Sequence, residues 1–95
     1  MTATSKAVER DVFMTVEVND PSGHRSVILE GLRASATVSE IRARAMSALR
    51  LTQEVDWNVR HDVTGRLLLE DQRLEEFGKP GANVMLTMQP DAGLG

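Results

Sequence analysis

The chain has 95 residues, a formal net charge of -3 and no cysteine. That length holds one small hydrophobic core and excludes a multi-domain organisation. The missing thiols exclude disulfides, thiolate nucleophiles and thiolate metal sites, and the acidic balance lacks the basic surplus that a nucleic-acid footprint needs.

Residues 1–11 are polar and carry no apolar stretch of the kind that drives secretion, so they read as a disordered leader on a cytoplasmic protein. Apolar runs such as Val27-Ile28-Leu29 and Leu67-Leu68-Leu69 are short against the roughly 20 residues that span a bilayer, and no membrane partner is expected. The first patterned segment is Val12 to Val18. Val12, Met14, Val16 and Val18 alternate with Phe13, Thr15 and Glu17, the period of two that marks a half-buried strand. Asn19-Asp20-Pro21-Ser22-Gly23 then gathers residues that favour chain reversal, and Ser26 to Leu32 is again rich in branched aliphatics. The first third is therefore expected to be a β-hairpin.

Thr37-Val38-Ser39-Glu40 has the form of a capping box, in which a threonine hydroxyl and a glutamate carboxylate satisfy each other's backbone amides. The spacing of Val38, Ile41, Ala45, Ala48 and Leu49 predicts a helix from there to about Leu49 or Leu51 with one apolar stripe. Arg42, Arg44 and Arg50 fall outside the stripe and read as a solvated face. Trp57, Val59 and His61 alternate with Asn58, Arg60 and Asp62, which predicts a third strand ending in the turn Val63-Thr64-Gly65-Arg66. Leu67-Leu68-Leu69 follows as a short fourth strand. Leu74 and Phe77 suit one helical turn, Gly78-Lys79-Pro80-Gly81 ends it, and Asn83 to Met88 makes a last strand.

This order predicts an α+β fold in which a mixed sheet of four to five strands packs on one long helix, over residues 12–89, with a flexible tail at 90–95. With one helix crossing over between two hairpin-like units, the first and last strands would lie side by side and parallel at the centre of the sheet. The tail would then leave from a rigid element.

No catalytic constellation is visible. Glu70-Asp71 and Glu75-Glu76 are sequence neighbours flanking a turn, where side chains diverge into solvent. His24 and His61 have no cysteine or serine partner, and no glycine-rich phosphate loop or metal-ligand spacing occurs. The chain is expected not to be an enzyme and to need no cofactor.

Several local features carry a resemblance. After the helix come Trp57-Asn58-Val59-Arg60, the Gly65 turn, Leu67 to Leu69, Glu70-Asp71, Leu74, Phe77-Gly78 and Val84-Met85-Leu86, while the capping box stands at Thr37. This pattern resembles ubiquitin and its β-grasp relatives, bacterial ubiquitin-like modifiers among them. The resemblance implies a C-terminal glycine whose carboxylate is adenylated by an activating enzyme with ATP, passed to a thiol of a conjugating enzyme and joined to a target protein, with a deconjugating metallopeptidase as a further partner. Gly95 is the expected reacting residue, with Gly93 as the alternative if a peptidase removes Leu94-Gly95. Glycine suits such a terminus because it lies extended in a narrow channel without steric hindrance. The chain departs from the family pattern in ending Ala92-Gly93-Leu94-Gly95 and in placing Pro90 within the tail.

A modifier also needs a surface for its enzymes to hold. Phe13, Trp57, Val59, Met85 and Thr87 are the expected contact residues on the sheet, with Leu94 in the tail. Lys6 and Lys79 are the only lysines, which favours single attachment over polymer formation. Two other functions share the fold: a non-covalent interaction module of the kind associated with bacterial secretion systems, and a sulfur carrier.

Overall fold

The computed structural model describes residues 13–79 and 83–91. Strand β1 (Phe13–Asn19) reverses through the Asp20–Gly23 turn into β2 (Ser26–Arg33), and helix α1 (Val38–Leu49) follows. Then come β3 (Trp57–His61), β4 (Arg66–Leu67), the single-turn helix α2 (Leu74–Phe77) and β5 (Asn83–Pro90). The strands form one sheet in the order β2-β1-β5-β3-β4. β5 runs parallel to β1 and antiparallel to β3, so the last strand occupies the centre, as the crossover argument anticipated.

The elements form for local reasons. At the hairpin turn the Asp20 carboxylate accepts from the Ser22 hydroxyl at 2.8 Å and from the Gly23 amide at 2.9 Å, closing the chain on itself. Helix α1 starts where the capping box predicts. Glu40 donates its amide to the Thr37 hydroxyl at 3.3 Å, and the Thr37 amide donates to Glu40 Oε1 at 3.2 Å. A box of this kind is worth about 1 kcal/mol at a helix start. The helix ends at Leu49, within the bounds the spacing predicts, and at 12 residues it is a short helix and not a long one. Arg50 adopts the left-handed conformation at φ 55°, where its amide reaches back to the Met46 and Ser47 carbonyls, and the Arg25 guanidinium donates to the carbonyl of Leu49.

The core lies between α1 and one face of the sheet. Val38, Ile41, Ala45 and Leu49 of the helix pack with Met14, Val16 and Val18 of β1 and with Val84, Leu86 and Met88 of β5. Leu74 of α2 is fully buried among them. Gly78 closes the same corner, because a Cβ there would stand 2.5 Å from a Val84 methyl. β4 is shorter than the predicted run of leucines. Only Arg66 and Leu67 pair with β3, after which Leu69 donates its amide to the Gln72 side chain and the chain turns away. Among the described residues no helix is long and apolar enough to cross a membrane.

Candidate interaction surface and tail exit

Strand alternation divides the sheet into a closed face against α1 and an open face. On β1 the open face carries Phe13, Thr15 and Glu17. On β5 it carries Met85, Thr87 and Gln89, whose neighbours on β3 are Arg60 opposite Thr87 and Asn58 opposite Gln89. Ile28 extends the face onto β2 opposite Glu17, and Leu67 extends it onto β4 opposite Arg60.

Polar side chains hold its middle. Thr87 donates its hydroxyl to Asp62 Oδ1 at 2.7 Å, and the Arg60 guanidinium lies 3.6 Å from the same carboxylate oxygen. One carboxylate thus gathers a hydroxyl and a guanidinium from adjacent strands. Apolar groups stand at the margins, with Phe13 56% and Leu67 51% exposed.

Of the expected contact residues, the structure brings Phe13, Met85 and Thr87 onto this open face. Trp57 and Val59 are a correction: they are 8% and 1% exposed and belong to the core with Ile41, Ala45 and Leu49. Their phase of β3 is the one opposed to the closed-face residues of β5, since Val59 stands opposite Met88. Trp57 also spends its indole N–H on the Thr52 carbonyl at 2.7 Å, which leaves no donor for a partner. Gly93, Leu94 and Gly95 lie outside the described residues.

Sequence reasoning missed Arg60, Asp62 and Ile28. The alternation of Trp57 and Val59 with Asn58 and Arg60 already carried the signal for Arg60, because the apolar phase of a strand is the one that a core takes. Asp62 could not be found that way. Its importance comes from Thr87, 25 residues later, which the sheet places beside it.

β5 leads the chain out of the sheet. Trp57 opposes Pro90, and just beyond it the Asp91 amide donates to the Asp56 carbonyl at 2.8 Å. The backbone of β5 is therefore held by β1 as far as Thr87, by β3 as far as Pro90, and by a further bond after the last strand residue. Beside this exit lies a surface groove lined by Arg42, Met46, Val55, Trp57, Glu70 and Asp91. Arg42 and Glu70 pair across it at 3.3 Å, and Arg42 also donates to the Trp57 carbonyl at 3.3 Å. Among the described residues no group of three or more His, Asp or Glu side chains is placed to hold a metal ion.

No family model and no curated protein matches the chain. Solved structures do match. The ubiquitin of Caldiarchaeum subterraneum superposes with a TM-score of 0.62 over 85% of this chain and 99% of that one, at 19% identity. The fold is the ubiquitin-like β-grasp. A structure reported as molecular mimicry of SUMO that promotes DNA repair superposes with a TM-score of 0.64 at 9% identity, over 82% of this chain and 91% of that one. The ubiquitin-like domain of an Arabidopsis thaliana protein gives 0.62 at 18% identity, covering 85% of this chain and 80% of that domain. At these identities the ubiquitin-like likeness is one of backbone architecture.

Proposed function

We propose that this chain is a ubiquitin-like protein modifier of a bacterial cytoplasm, handled by enzymes and not itself one. In this reading the terminal carboxylate attacks the α-phosphorus of ATP in an activating enzyme and releases pyrophosphate. A cysteine thiol then displaces AMP to give a thioester. An amine of the target protein displaces that thiol, which leaves the modifier joined through an amide bond, and a metallopeptidase can reverse the attachment by hydrolysis. Gly95 is the proposed reacting residue, or Gly93 after loss of Leu94-Gly95.

The observation that supports this reading is the place of β5. It is the central strand, flanked by β1 and β3, and it delivers the chain to Asp91 two residues before Gly93. The tail therefore starts from a strand paired on both sides, while the open face with Phe13, Met85 and Thr87 gives the enzymes a surface to hold.

The test is the intact mass of the protein recovered from its native cells, before and after a denaturing wash. A species that survives denaturation, with Gly95 or Gly93 in an amide linkage to a second protein, is the expected result. An unmodified mass with partners lost on denaturation would replace the modifier with a non-covalent interaction module, and a terminal thiocarboxylate would replace it with a sulfur carrier. Deleting Leu94 and Gly95 should abolish conjugation if Gly95 reacts and should preserve it if Gly93 is the mature terminus.

A further inference from the structure

The two edges of the sheet are unequal. β4 offers two paired residues, too few to template another chain, whereas β2 runs for eight residues from Ser26 to Arg33. The inner side of β2 is paired with β1, and its outer side faces no strand among the described residues. A bare edge of this length is a template for a further strand, and proteins blunt such edges with proline, lysine or a bulge.

β2 contains neither proline nor lysine. It does contain a bulge: the register passes from Val16–Leu29 to Met14–Leu32, so Glu30 and Gly31 together stand against Thr15. Gly31 takes φ 70°, the conformation that such a bulge requires. The bulge blunts the far end of the edge and leaves Ser26 to Leu29 regular. In the middle of that regular stretch Ile28 lies on the open face and is 57% exposed. Its neighbour across β1 is Glu17, which cannot cover it with apolar surface. The open side of Ile28 is the one beyond the edge.

We propose that β2 pairs antiparallel with β2 of a second copy of this chain, about a two-fold axis through Ile28, so that two five-stranded sheets join into one. The symmetry restricts the register. A two-fold axis normal to a sheet keeps each face on its own side, and side chains alternate with period two, so opposed residues must have numbers that differ by an even amount. Centring on Ile28 sets it against its own mate, Val27 against Leu29 of the second copy, and Ser26 against Glu30. The pairs are two branched aliphatics on the open face, two aliphatics on the closed face, and a hydroxyl that can donate to a carboxylate. Aliphatic pairs of this kind are what stabilise adjacent strands.

The neighbouring symmetric registers are worse. Centring on Val27 sets Leu29 against Arg25 and Glu30 against His24. Centring on Leu29 sets Ile28 against Glu30 and drives Val27 onto the bulge at Gly31. Side-chain chemistry therefore selects the register centred on Ile28, in which only the outermost pair, Ser26 with Glu30, reaches the bulge. The interface is one strand wide and small, within the class of transient contacts below about 1,200 Å², so the dimer is weak and concentration-dependent. β5 lies two strands inside β2, so pairing leaves the tail exit clear, and the inference does not depend on whether the tail is conjugated.

The chain has no cysteine, which makes single-cysteine variants direct reporters of register. Opposed Cα atoms in an antiparallel pair lie about 4.5–5.5 Å apart, within reach of a disulfide. In a glutathione redox buffer Ile28→Cys should form a disulfide-linked dimer. Ser26→Cys and Glu30→Cys should each stay monomeric alone and cross-link when mixed. Sedimentation of the unmodified protein from micromolar to millimolar concentration should show a rising mass that Ile28→Lys removes, with the thermal midpoint of the dilute monomer unchanged. The proposal is overturned if the protein stays monomeric across that range and Ile28→Cys cross-links no faster than Leu67→Cys on the opposite edge. A dimer that survives Ile28→Lys overturns it equally.

Discussion

The two faces of this sheet are cut from the same strands and differ only by one residue in phase. On β5, Val84, Leu86 and Met88 are buried to 4% exposure or less, while Met85, Thr87 and Gln89 between them stay half-buried. The closed face is specified by volume: Leu86 belongs to one core cluster with Met14 and Ile41. The open face is specified by pairing, with Thr87, Asp62 and Arg60 linked through one carboxylate. A packed face tolerates little and a paired face tolerates more, so the open side is where a ubiquitin-like fold can vary its contacts while keeping its shape.

The sharpest way to break the comparison is to truncate adjacent residues of β5. Leu86→Ala leaves a cavity in the core and should cost about 2–5 kcal/mol, whereas Met85→Ala on the open side should stay within about 1 kcal/mol. Denaturant unfolding of both variants, with the slope held constant, measures the difference. Equal losses would mean that the open face is packed against something and is not free.

A smaller effect is expected on the open face itself. Thr87→Val keeps the shape and β-branching of the residue but removes the hydroxyl that Asp62 accepts, at a cost of about 1 kcal/mol. The same change in an Asp62→Ala background should cost less, because the partner is already gone; a double-mutant cycle reads that coupling directly. Additive losses would show that the Thr87–Asp62 bond contributes nothing to the face.

How far these features could be read from residues alone follows from how local they are. The capping box of Thr37 and Glu40 and the turn at Asp20–Gly23 involve residues within five positions of one another, and both formed where the pattern put them. The alternation of Met14, Val16 and Val18 fixed the buried phase of β1. β3 is less legible, because Trp57 and Val59 look available for contact although theirs is the apolar phase of the strand. The fourth strand is shorter than its run of three leucines suggests, because the three look alike in sequence. Only the pairing shows that Leu67 is on the open face, that Leu68 leans on the core and that Leu69 has left the sheet. Phe77 likewise finds His61, at 5.6 Å between ring centroids, only once the sheet has formed. Long-range partners carry no signature in the segment that contains them.

The smallest expected effect concerns the turn that sets which phase of β1 and β2 is which. Register in a hairpin is fixed by its turn, and a slip of one residue would exchange the two faces of the strand. Here the Asp20 carboxylate holds the turn, and the Ser22 hydroxyl, then the Arg25 and Gly23 amides and the Arg25 charge, keep its carboxyl below the ordinary range against the opposing effect of desolvation. A folded-state pKa below the unfolded one means that the aspartate favours folding at every pH above its unfolded value of about 3.9. That contribution is lost as pH falls through the folded value. Asp20→Asn preserves shape but cannot ionise, so the wild-type protein should be the more stable at neutral pH and the gap should close as the solution is acidified past the folded pKa. Thermal midpoints of the two proteins from neutral to strongly acid pH give the curve. The absence of a gap at any pH would show that the turn, and with it the assignment of faces, is held by the shape of the Asp20 side chain and not by its charge.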